Sequence, residues 1–193
     1  MKYFPLSLDV ARKPVTVVGG GSIAERRVEA LLECEAVITV ISPAVSETLG
    51  ALADEAKITL HQRQYRSGDA CGALMVFAAT DDSGVNQLVS ADAGGNGILV
   101  NVADEPSRCD FIMPSIVRRG DLVVAISTGG RSPALAARLR EKLSALLGPE
   151  YGKLLEILGR LRADLRARFE DPAERKTVHY RLVDSDALRL IRD

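Results

Sequence analysis

The sequence predicts an α/β fold, with a mostly parallel, helix-covered sheet followed by a small α+β region and a helical C-terminal part. Over the first half of the chain, short apolar runs of strand length alternate with helical patterns. A glycine triplet joins the first strand pattern to the first helix pattern, and near residue 113 the pattern changes to a hairpin and amphipathic helices. We place the three parts at residues 1–113, 114–150 and 151–193.

The glycine triplet follows a β-branched strand at residues 15–18 and precedes a helix at about residues 22–33. The spacing Gly19-x-Gly21-x-x-Ala24 has the form of the Rossmann-type dinucleotide fingerprint. Gly19 would make the tight turn, Gly21 would let a pyrophosphate approach the backbone, and Ala24 would let the helix pack against the sheet. The other interpretation is a glycine turn that only connects two elements.

The second strand is predicted at residues 37–41, followed by a helix at 44–56 and a third strand at 58–60. The end of the second strand lies about 20 residues after the glycines, where many Rossmann units have an acidic residue that binds the ribose hydroxyls of NAD. This chain has Ser42 and Pro43 there instead. The spacing alone therefore does not distinguish NAD from NADP.

A continuous apolar run at residues 73–79 predicts a fourth strand that is covered on both faces. Thr80 and Asp81 follow it, at the carboxyl edge of the sheet where open α/β sheets bind ligands, so they could contact a cofactor. The compatible alternative is that Asp82 or Ser83 caps a helix over residues 85–93. A glycine-rich loop at 94–97 would then lead into the fifth strand.

Asp104 follows the fifth strand, predicted at residues 98–102, and belongs to the same edge. A carboxylate beside a nicotinamide can accept the proton that leaves with a hydride, so Asp104 is the candidate catalytic residue. The other interpretation is a surface aspartate in the turn before Pro106.

The remaining sequence predicts two strands at 111–117 and 122–127, a glycine-rich loop, and a helix from Pro133 to about Gly148. That helix carries a leucine stripe at Leu135, Leu139, Leu143 and Leu146. A hairpin and one helix cannot bury an apolar face alone, so we expect a homodimer through this region. From residue 151 the chain is helical, with a break near Asp171 and an amphipathic tail at 183–191.

Composition excludes several classes of function. A net charge of −1 gives no reason to expect nucleic-acid or membrane binding. Three separated cysteines predict buried thiols in a reducing cytoplasm, and two isolated histidines predict no metal site and no special role for either. The start of the chain has no signal-peptide pattern, so we expect a cytoplasmic protein. Residues 105–142 carry seven cations against four anions, which suits either a polyanionic ligand or a solvated face.

Several stretches within residues 1–150 together resemble the siroheme synthase dehydrogenase family, whose members are precorrin-2 dehydrogenases. They are residues 17–27, 78–82 with 85–87, 101–104, 111–115 and 127–133. The resemblance implies a Rossmann domain, a dimerisation region and helical C-terminal part, and NAD-dependent dehydrogenation of precorrin-2 to sirohydrochlorin. Some members also insert ferrous iron to give siroheme.

The resemblance also implies roles for individual residues. Asp104 would be the general base, in dehydrogenation and in chelation. NAD would be bound by Gly19, Gly20, Gly21, Ser22, Ile23, Ser42, Pro43, Ala44, Thr80, Asp81, Asn101 and Val102. The acid-fringed tetrapyrrole would contact Arg108, Ser127, Thr128, Gly129 and Arg131. Thr128 occupies a position where some relatives have a phosphorylatable serine.

The chain ends at residue 193, so we expect no methyltransferase domain and a separate enzyme that supplies precorrin-2. A second hypothesis, from another class, is a dimeric regulatory protein that senses NAD(H) without catalysis. The cationic segment and Asp104 favour the enzyme, and the sequence contains no helix-turn-helix or basic arm for DNA.

Overall fold

The structure, a computed structural model, describes residues 2–192. Its packing divides the chain into two compact units, one ending at Ile112 and the other beginning at Met113. The first contains the predicted sheet. The second contains the hairpin and all the later helices, and each unit is described by itself below.

The first unit is built on a five-stranded sheet in the order β3-β2-β1-β4-β5, in which every neighbouring pair is parallel. The strands are β1 (Pro14–Val18), β2 (Val37–Ile41), β3 (Thr59–His61), β4 (Met75–Ala78) and β5 (Leu99–Val102). After β1 the chain adds strands on one side of the sheet, β2 and then β3, and after β4 it adds β5 on the other side. This topological switch point between β1 and β4 opens a crevice at the carboxyl ends of these two strands.

Three helices cover the two faces of this sheet: α1 (Ser22–Leu32), α2 (Glu47–Asp54) and α3 (Ser83–Asn96). One core cluster joins alternate residues of β1 and β4 to Val28 of α1 and Leu49 of α2. The other cluster lies on the opposite face of the sheet and joins Val18 of β1 and Val76 of β4 to Val89 of α3. All three of these helix side chains are fully buried, and each such burial contributes about 1.5–3 kcal/mol.

The second unit pairs an antiparallel hairpin with four helices. The hairpin consists of β6 (Ser115–Arg119) and β7 (Leu122–Ile126), and Gly120 takes a left-handed φ of 60° in its turn. The helices are α4 (Pro133–Leu146), α5 (Glu150–Arg168), α6 (Pro172–Val183) and α7 (Ala187–Arg192). Gly152 of α5 lies so close to the hairpin turn that a Cβ there would sit 2.7 Å from the Arg119 carbonyl oxygen.

Much of the predicted leucine stripe on α4 is exposed, with Leu135, Leu139 and Leu146 more than one third accessible. On the hairpin, Ile116 and Val123 are exposed as well. Within the second unit these apolar side chains therefore lack the burial that their sequence pattern predicts.

Some predicted boundaries were wrong. Helix α2 begins at Glu47 rather than residue 44, because Ser46 caps it by accepting the N–H of Leu49. Helix α3 continues through the glycines predicted as a loop and ends at Gly97, whose φ of 68° is left-handed. The tail predicted as one helix over residues 183–191 is interrupted, since α6 ends at Val183 and α7 begins at Ala187.

The expected burial of the thiols was also wrong. Cys34 and Cys71 are exposed, and Cys109 is half-buried. Among residues 2–192, no helix combines the length and the apolar character needed to cross a membrane.

Candidate functional site

A cavity of about 480 Å³ opens at the carboxyl edge of the sheet, at the switch point between β1 and β4. Its wall is formed by the ends of β1, β2 and β4 and the segments that follow them. The lining residues are Val18, Gly19, Gly20, Gly21, Ser22, Ile23, Ile41, Ser42, Pro43, Ala44, Gln64, Tyr65, Ala79, Thr80, Asp81, Asp82 and Val85. The predicted residues 19–23, 42–44, 80 and 81 are thus brought together in one place.

The three glycines of the turn are required for different reasons. Gly19 has a left-handed φ of 128°, and a Cβ there would collide with the carbonyl of Ala79. A Cβ on Gly20 would collide with the carbonyl of Ala44. A Cβ on Gly21 would meet no protein atom within 4 Å, although Gly21 lines the cavity. Packing therefore explains why Gly19 and Gly20 are glycines, whereas the missing side chain of Gly21 leaves room for a bound ligand.

Helix α1 begins at this turn with an uncapped N-terminus. Gly21 is its N-cap residue, in extended backbone, and no side chain accepts a hydrogen bond from the first turn. The free N–H groups and the positive end of the helix dipole favour an anionic ligand. Together with the space at Gly21, they fit the pyrophosphate of a dinucleotide.

The wall after β2 is held rigidly against the glycine turn. Ser42 is buried and its hydroxyl donates to the carbonyl of Ala44 at 2.6 Å. The N–H of Ser46 donates to the carbonyl of Gly20 at 2.9 Å, and its hydroxyl donates to Glu25 Oε2 at 2.7 Å. This side of the cavity is therefore preformed.

After β4, the capping role belongs to Asp82, whose Oδ1 accepts the N–H groups of Gly84 and Val85 at 2.8 and 3.1 Å. Thr80 is tied to α3, since Asn86 Nδ2 donates to its carbonyl at 2.9 Å. Asp81 is exposed. Thr80 and Asp81 remain in the cavity wall, so the two sequence interpretations are compatible as expected.

Sequence reasoning missed Gln64 and Tyr65, which reach the cavity from the loop after β3. Tyr65 is buried, and its hydroxyl donates to Asp92 Oδ2 of α3 at 2.7 Å. Burial and this hydrogen bond raise the pKa of Tyr65 well above its ordinary value. The available signal was topological: β3 runs parallel to β2, so its carboxyl end points to the same edge.

Two carboxylates lock the loop that carries these residues. Asp92 accepts from Tyr65, from the N–H of Gly68 at 2.6 Å and from Ser67, and these bonds lower the pKa of Asp92. Asp69 accepts two hydrogen bonds from Arg63 at 2.6 and 2.9 Å, and this contact lowers the pKa of Asp69. The loop position is thus fixed by charge-assisted bonds.

The residues predicted on β5 lie outside the cavity wall. Asn101 is buried and its Nδ2 donates to the carbonyl of Phe111 at 2.9 Å, and Val102 is buried too. Asp104 is exposed just beyond β5, at the same carboxyl edge. Since β5 lies two strands from β1, the lateral separation is about 10 Å. Asp104 also has a left-handed φ of 60°, which is uncommon outside glycine.

The half-buried thiol of Cys109 closes the loop that carries Asp104. Its Sγ accepts the N–H of Val102 at 3.2 Å and lies 3.3 Å from the carbonyl oxygens of Val102 and Glu105. Arg108, in the 3₁₀ turn Pro106–Arg108, donates Nε to Glu105 Oε2 at 2.7 Å. Arg108 is exposed, and its guanidinium is paired within this loop.

In the second unit, the predicted substrate residues form one loop before α4. Thr128 Oγ1 donates to the carbonyl of Ser132 at 3.1 Å and accepts its N–H at 3.2 Å. The N–H of Gly129 donates to Ser127 Oγ at 3.1 Å, and Arg131 is exposed.

Among residues 2–192 the structure contains no group of three or more histidine, cysteine or acidic residues that could hold a metal ion.

Three family models match consecutive parts of the chain. A model described as "Putative NAD(P)-binding" matches residues 6–115. "Sirohaem biosynthesis protein central" matches residues 119–146, and "Sirohaem synthase dimerisation region" matches residues 150–193.

Curated relatives and a solved structure agree with these matches. The chain is 44% identical to Siroheme synthase 1 of Aeromonas salmonicida (strain A449) over 97% of its length, and 40% identical to the siroheme synthase of Nitrosomonas europaea (strain ATCC 19718 / CIP 103999 / KCTC 2705 / NBRC 14298) over 99%. It spans only 40% of the length of each. A structure described as "SirC, precorrin-2 dehydrogenase" superimposes with a TM-score of 0.83 at 29% identity, covering 96% of this chain and 92% of that one.

Proposed function

Because the chain belongs to the sirohaem synthase family of NAD(P)-binding proteins, we propose that it is an NAD-dependent dehydrogenase that oxidises precorrin-2 to sirohydrochlorin. The observation that carries the proposal is the cavity at Gly21, where an uncapped helix terminus faces space that no protein atom uses. The similarity to the solved precorrin-2 dehydrogenase extends over 92% of that protein, which supports the choice of reaction.

NAD would be held by the cavity wall and would supply the hydride acceptor. The N–H groups of Ser22 and Ile23 would bind the pyrophosphate, and Pro43 and Ala44 would line the adenosine side. The buried Ser42 hydroxyl is already bonded to the Ala44 carbonyl, so it keeps this wall in place. The predicted contacts of Thr80, Asp81, Asn101 and Val102 with the cofactor stay predictions.

Asp104 would act as the general base. Oxidation of precorrin-2 removes a hydride and a proton, and an exposed carboxylate at the carboxyl edge of the sheet can take that proton. Arg108, Ser127, Thr128, Gly129 and Arg131 stay predicted contacts for the acid-fringed macrocycle.

We propose that the chain works as a homodimer. The support is the match to a dimerisation region at residues 150–193 and the exposed apolar side chains of α4 and the hairpin. A partner copy that covered Leu135 and Ile116 would contribute about 25 cal/mol per Å² of apolar surface. The free, exposed thiols of Cys34 and Cys71 suit a reducing cytoplasm, which is the location we propose.

Ferrous iron enters this proposal only as a second substrate. The resemblance implies its insertion into sirohydrochlorin by the same base, since chelation also removes pyrrole N–H protons. The macrocycle would supply the nitrogen ligands itself. The alternative of a non-catalytic NAD(H) sensor has no support among the relatives described above.

The test is an anaerobic assay of the purified chain with NAD and freshly generated precorrin-2, followed by NADH absorbance and the pigment spectrum. We expect NADH and sirohydrochlorin in equal amounts. Absence of NADH, with NAD still bound, would favour the sensor instead. Adding ferrous iron to sirohydrochlorin, with and without the protein, tests the chelation step separately.

Asp104→Asn is the informative variant because asparagine tolerates a left-handed backbone. We expect turnover to fall about 10²–10⁴-fold while NAD affinity stays within a small factor. The matched control is Glu35→Gln, since Glu35 is also an exposed acid with a left-handed φ of 57°. Equal turnover in Asp104→Asn and Glu35→Gln would remove Asp104 from the mechanism.

A further inference from the structure

A second cavity, of about 260 Å³, lies between α5 and α6 in the second unit, and all of its lining side chains are basic. Arg162 and Arg166 come from α5, and Arg175 and His179 come from α6. Each pair is spaced four residues apart, so both members project from the same face of their helix. We call this group the Arg–His cavity.

The three arginines of this cavity have no carboxylate partner in the described part of the chain. Glu156 of α5 pairs with Arg160 at 3.9 Å, and Asp171 caps α6 by accepting the N–H of Ala173 at 2.9 Å. Three other acids also lie close to these arginines in sequence, but they are exposed and form no ion pair with the described residues: Asp164, Glu170 and Glu174. Converging like charges repel one another, so an anion from outside would stabilise the arrangement.

One arginine is already fixed in position. Arg175 Nη1 donates to the carbonyls of Phe169 and Glu170 at 2.7 and 2.8 Å, at the C-terminal end of α5. These bonds use one nitrogen and leave the remaining donors of the guanidinium for a ligand. Arg162 and Arg166 are exposed side chains that can close over the same space.

We propose that the Arg–His cavity binds a small polyanion that carries phosphate or carboxylate groups. The planar donor forks of arginine match both kinds of group, and several forks in one cavity select multiply charged ligands. The volume far exceeds the roughly 30 Å³ that one water occupies in the liquid, so an anion of several heavy atoms has room. The inference is independent of the dinucleotide cavity, which lies in the first unit and is built from backbone N–H groups.

The test is isothermal titration calorimetry of the full chain with inorganic phosphate and, separately, with citrate, in low-chloride buffer that contains saturating NAD to occupy the anion-binding N-terminus of α1. We expect saturable binding of at least one anion, with one site per chain, that weakens as sodium chloride is added. Phosphate binding alone would identify a phosphate ligand, and citrate binding alone a polycarboxylate. If neither anion binds the wild-type chain, the proposal is wrong.

Arg162→Gln and Arg166→Gln are the decisive variants, because neither side chain makes a hydrogen bond to the described part of the protein that the change would break. Each should weaken binding at least tenfold. Arg160→Gln is the matched control, since it removes the same charge from α5 outside the cavity. An equal loss in Arg160→Gln would mean that only the general charge of the helix attracts the anion, and would overturn the site.

Discussion

Ser46 connects the two helices that flank the glycine turn, because its hydroxyl donates to Glu25 of α1 at 2.7 Å and caps α2 by accepting the N–H of Leu49 at 3.3 Å. Its own N–H donates to the carbonyl of Gly20 at 2.9 Å. One residue thus fixes the glycine turn, the start of α2 and the first turn of α1 relative to one another. The cofactor cavity is therefore formed before any ligand binds.

The first prediction concerns this connection. Ser46→Ala removes the cap and leaves Glu25 without this donor, so we expect the free energy of unfolding to fall by about 1–3 kcal/mol. NAD affinity should fall as well, because the wall after β2 loosens. Urea denaturation and NAD titration measure both effects. Ser46→Thr, which keeps the hydroxyl, is the control, and wild-type stability in Ser46→Ala would contradict the argument.

The second prediction separates the roles of neighbouring glycines. Gly20→Ala should destabilise the protein, because its methyl group would collide with the carbonyl of Ala44. Gly21→Ala should still fold, with a loss of no more than about 1 kcal/mol for alanine at an N-cap, since its Cβ meets no protein atom within 4 Å and its φ of −89° suits alanine. Its methyl group lies in the cavity, however, so NAD affinity should fall at least tenfold.

Thermal unfolding and NAD titration of the two variants test this contrast. Gly50→Ala, an alanine placed in open space on α2, is the control in the same thermal measurement, and it should raise the stability by up to about 1 kcal/mol because alanine favours a helix. Wild-type NAD affinity in a folded Gly21→Ala would mean that the ligand does not approach the backbone at this turn.

The sequence was sufficient for the strands of the first unit, because each lies in a short, mainly apolar run of strand length. It failed at the C-terminus of α3, where Gly94 and Gly95 predicted a loop. Burial of Val89 and Ala93 against the sheet outweighs the cost of about 1 kcal/mol for each helical glycine. The left-handed Gly97 is the true end, as expected for a helix C-cap.

The candidate site was predictable where local spacing defines it and not where long-range packing does. The glycine turn and Asp82 follow from adjacent residues. Tyr65 is held at the cavity by Asp92, 27 residues later in the chain, which accepts a hydrogen bond from its hydroxyl. No sequence pattern connects those two residues, so the sequence does not predict that the loop after β3 reaches the cavity.

The third prediction concerns acid. The pKa of Asp92 is lowered, first by the hydrogen bond from Tyr65 and then by the N–H of Gly68. A carboxyl group with a lower pKa in the folded state stabilises the fold above its unfolded-state value of about 3.9, and this contribution is lost as the pH falls through the folded-state value. Wild-type stability should therefore fall more steeply below about pH 4 than that of Asp92→Asn.

Urea midpoints measured from pH 7 to pH 3 test this difference. Asp92→Asn should be less stable than wild type at pH 7, and the two should converge in acid. The control is Asp54→Asn, at an exposed carboxylate that ends α2. Parallel profiles for wild type and Asp92→Asn would mean that the Tyr65 contact contributes nothing to folding.

The last prediction concerns Arg119, which joins the hairpin to the C-terminal end of α4. Its Nε donates to the carbonyl of Leu147 at 2.7 Å, and its Nη2 donates to the carbonyl and the hydroxyl of Ser144, both at 2.9 Å. A helix end leaves carbonyl groups without partners, and a cation there also interacts favourably with the helix dipole. Arg119→Ala should therefore lower the free energy of unfolding by about 1–3 kcal/mol.

Arg138→Ala is the matched control, because Arg138 is an arginine on α4, the helix that Arg119 contacts. Arg138 forms an exposed pair with Glu141, with 73% and 54% of the two side chains accessible, and such pairs contribute about 0–1 kcal/mol. Arg119→Lys keeps the charge but loses the fork of donors, so it should recover only part of the loss. Urea denaturation of the three variants should rank Arg138→Ala nearest to wild type, then Arg119→Lys, then Arg119→Ala. If Arg119→Ala matched Arg138→Ala, the hydrogen bonds to Ser144 and Leu147 would not be what joins the hairpin to α4.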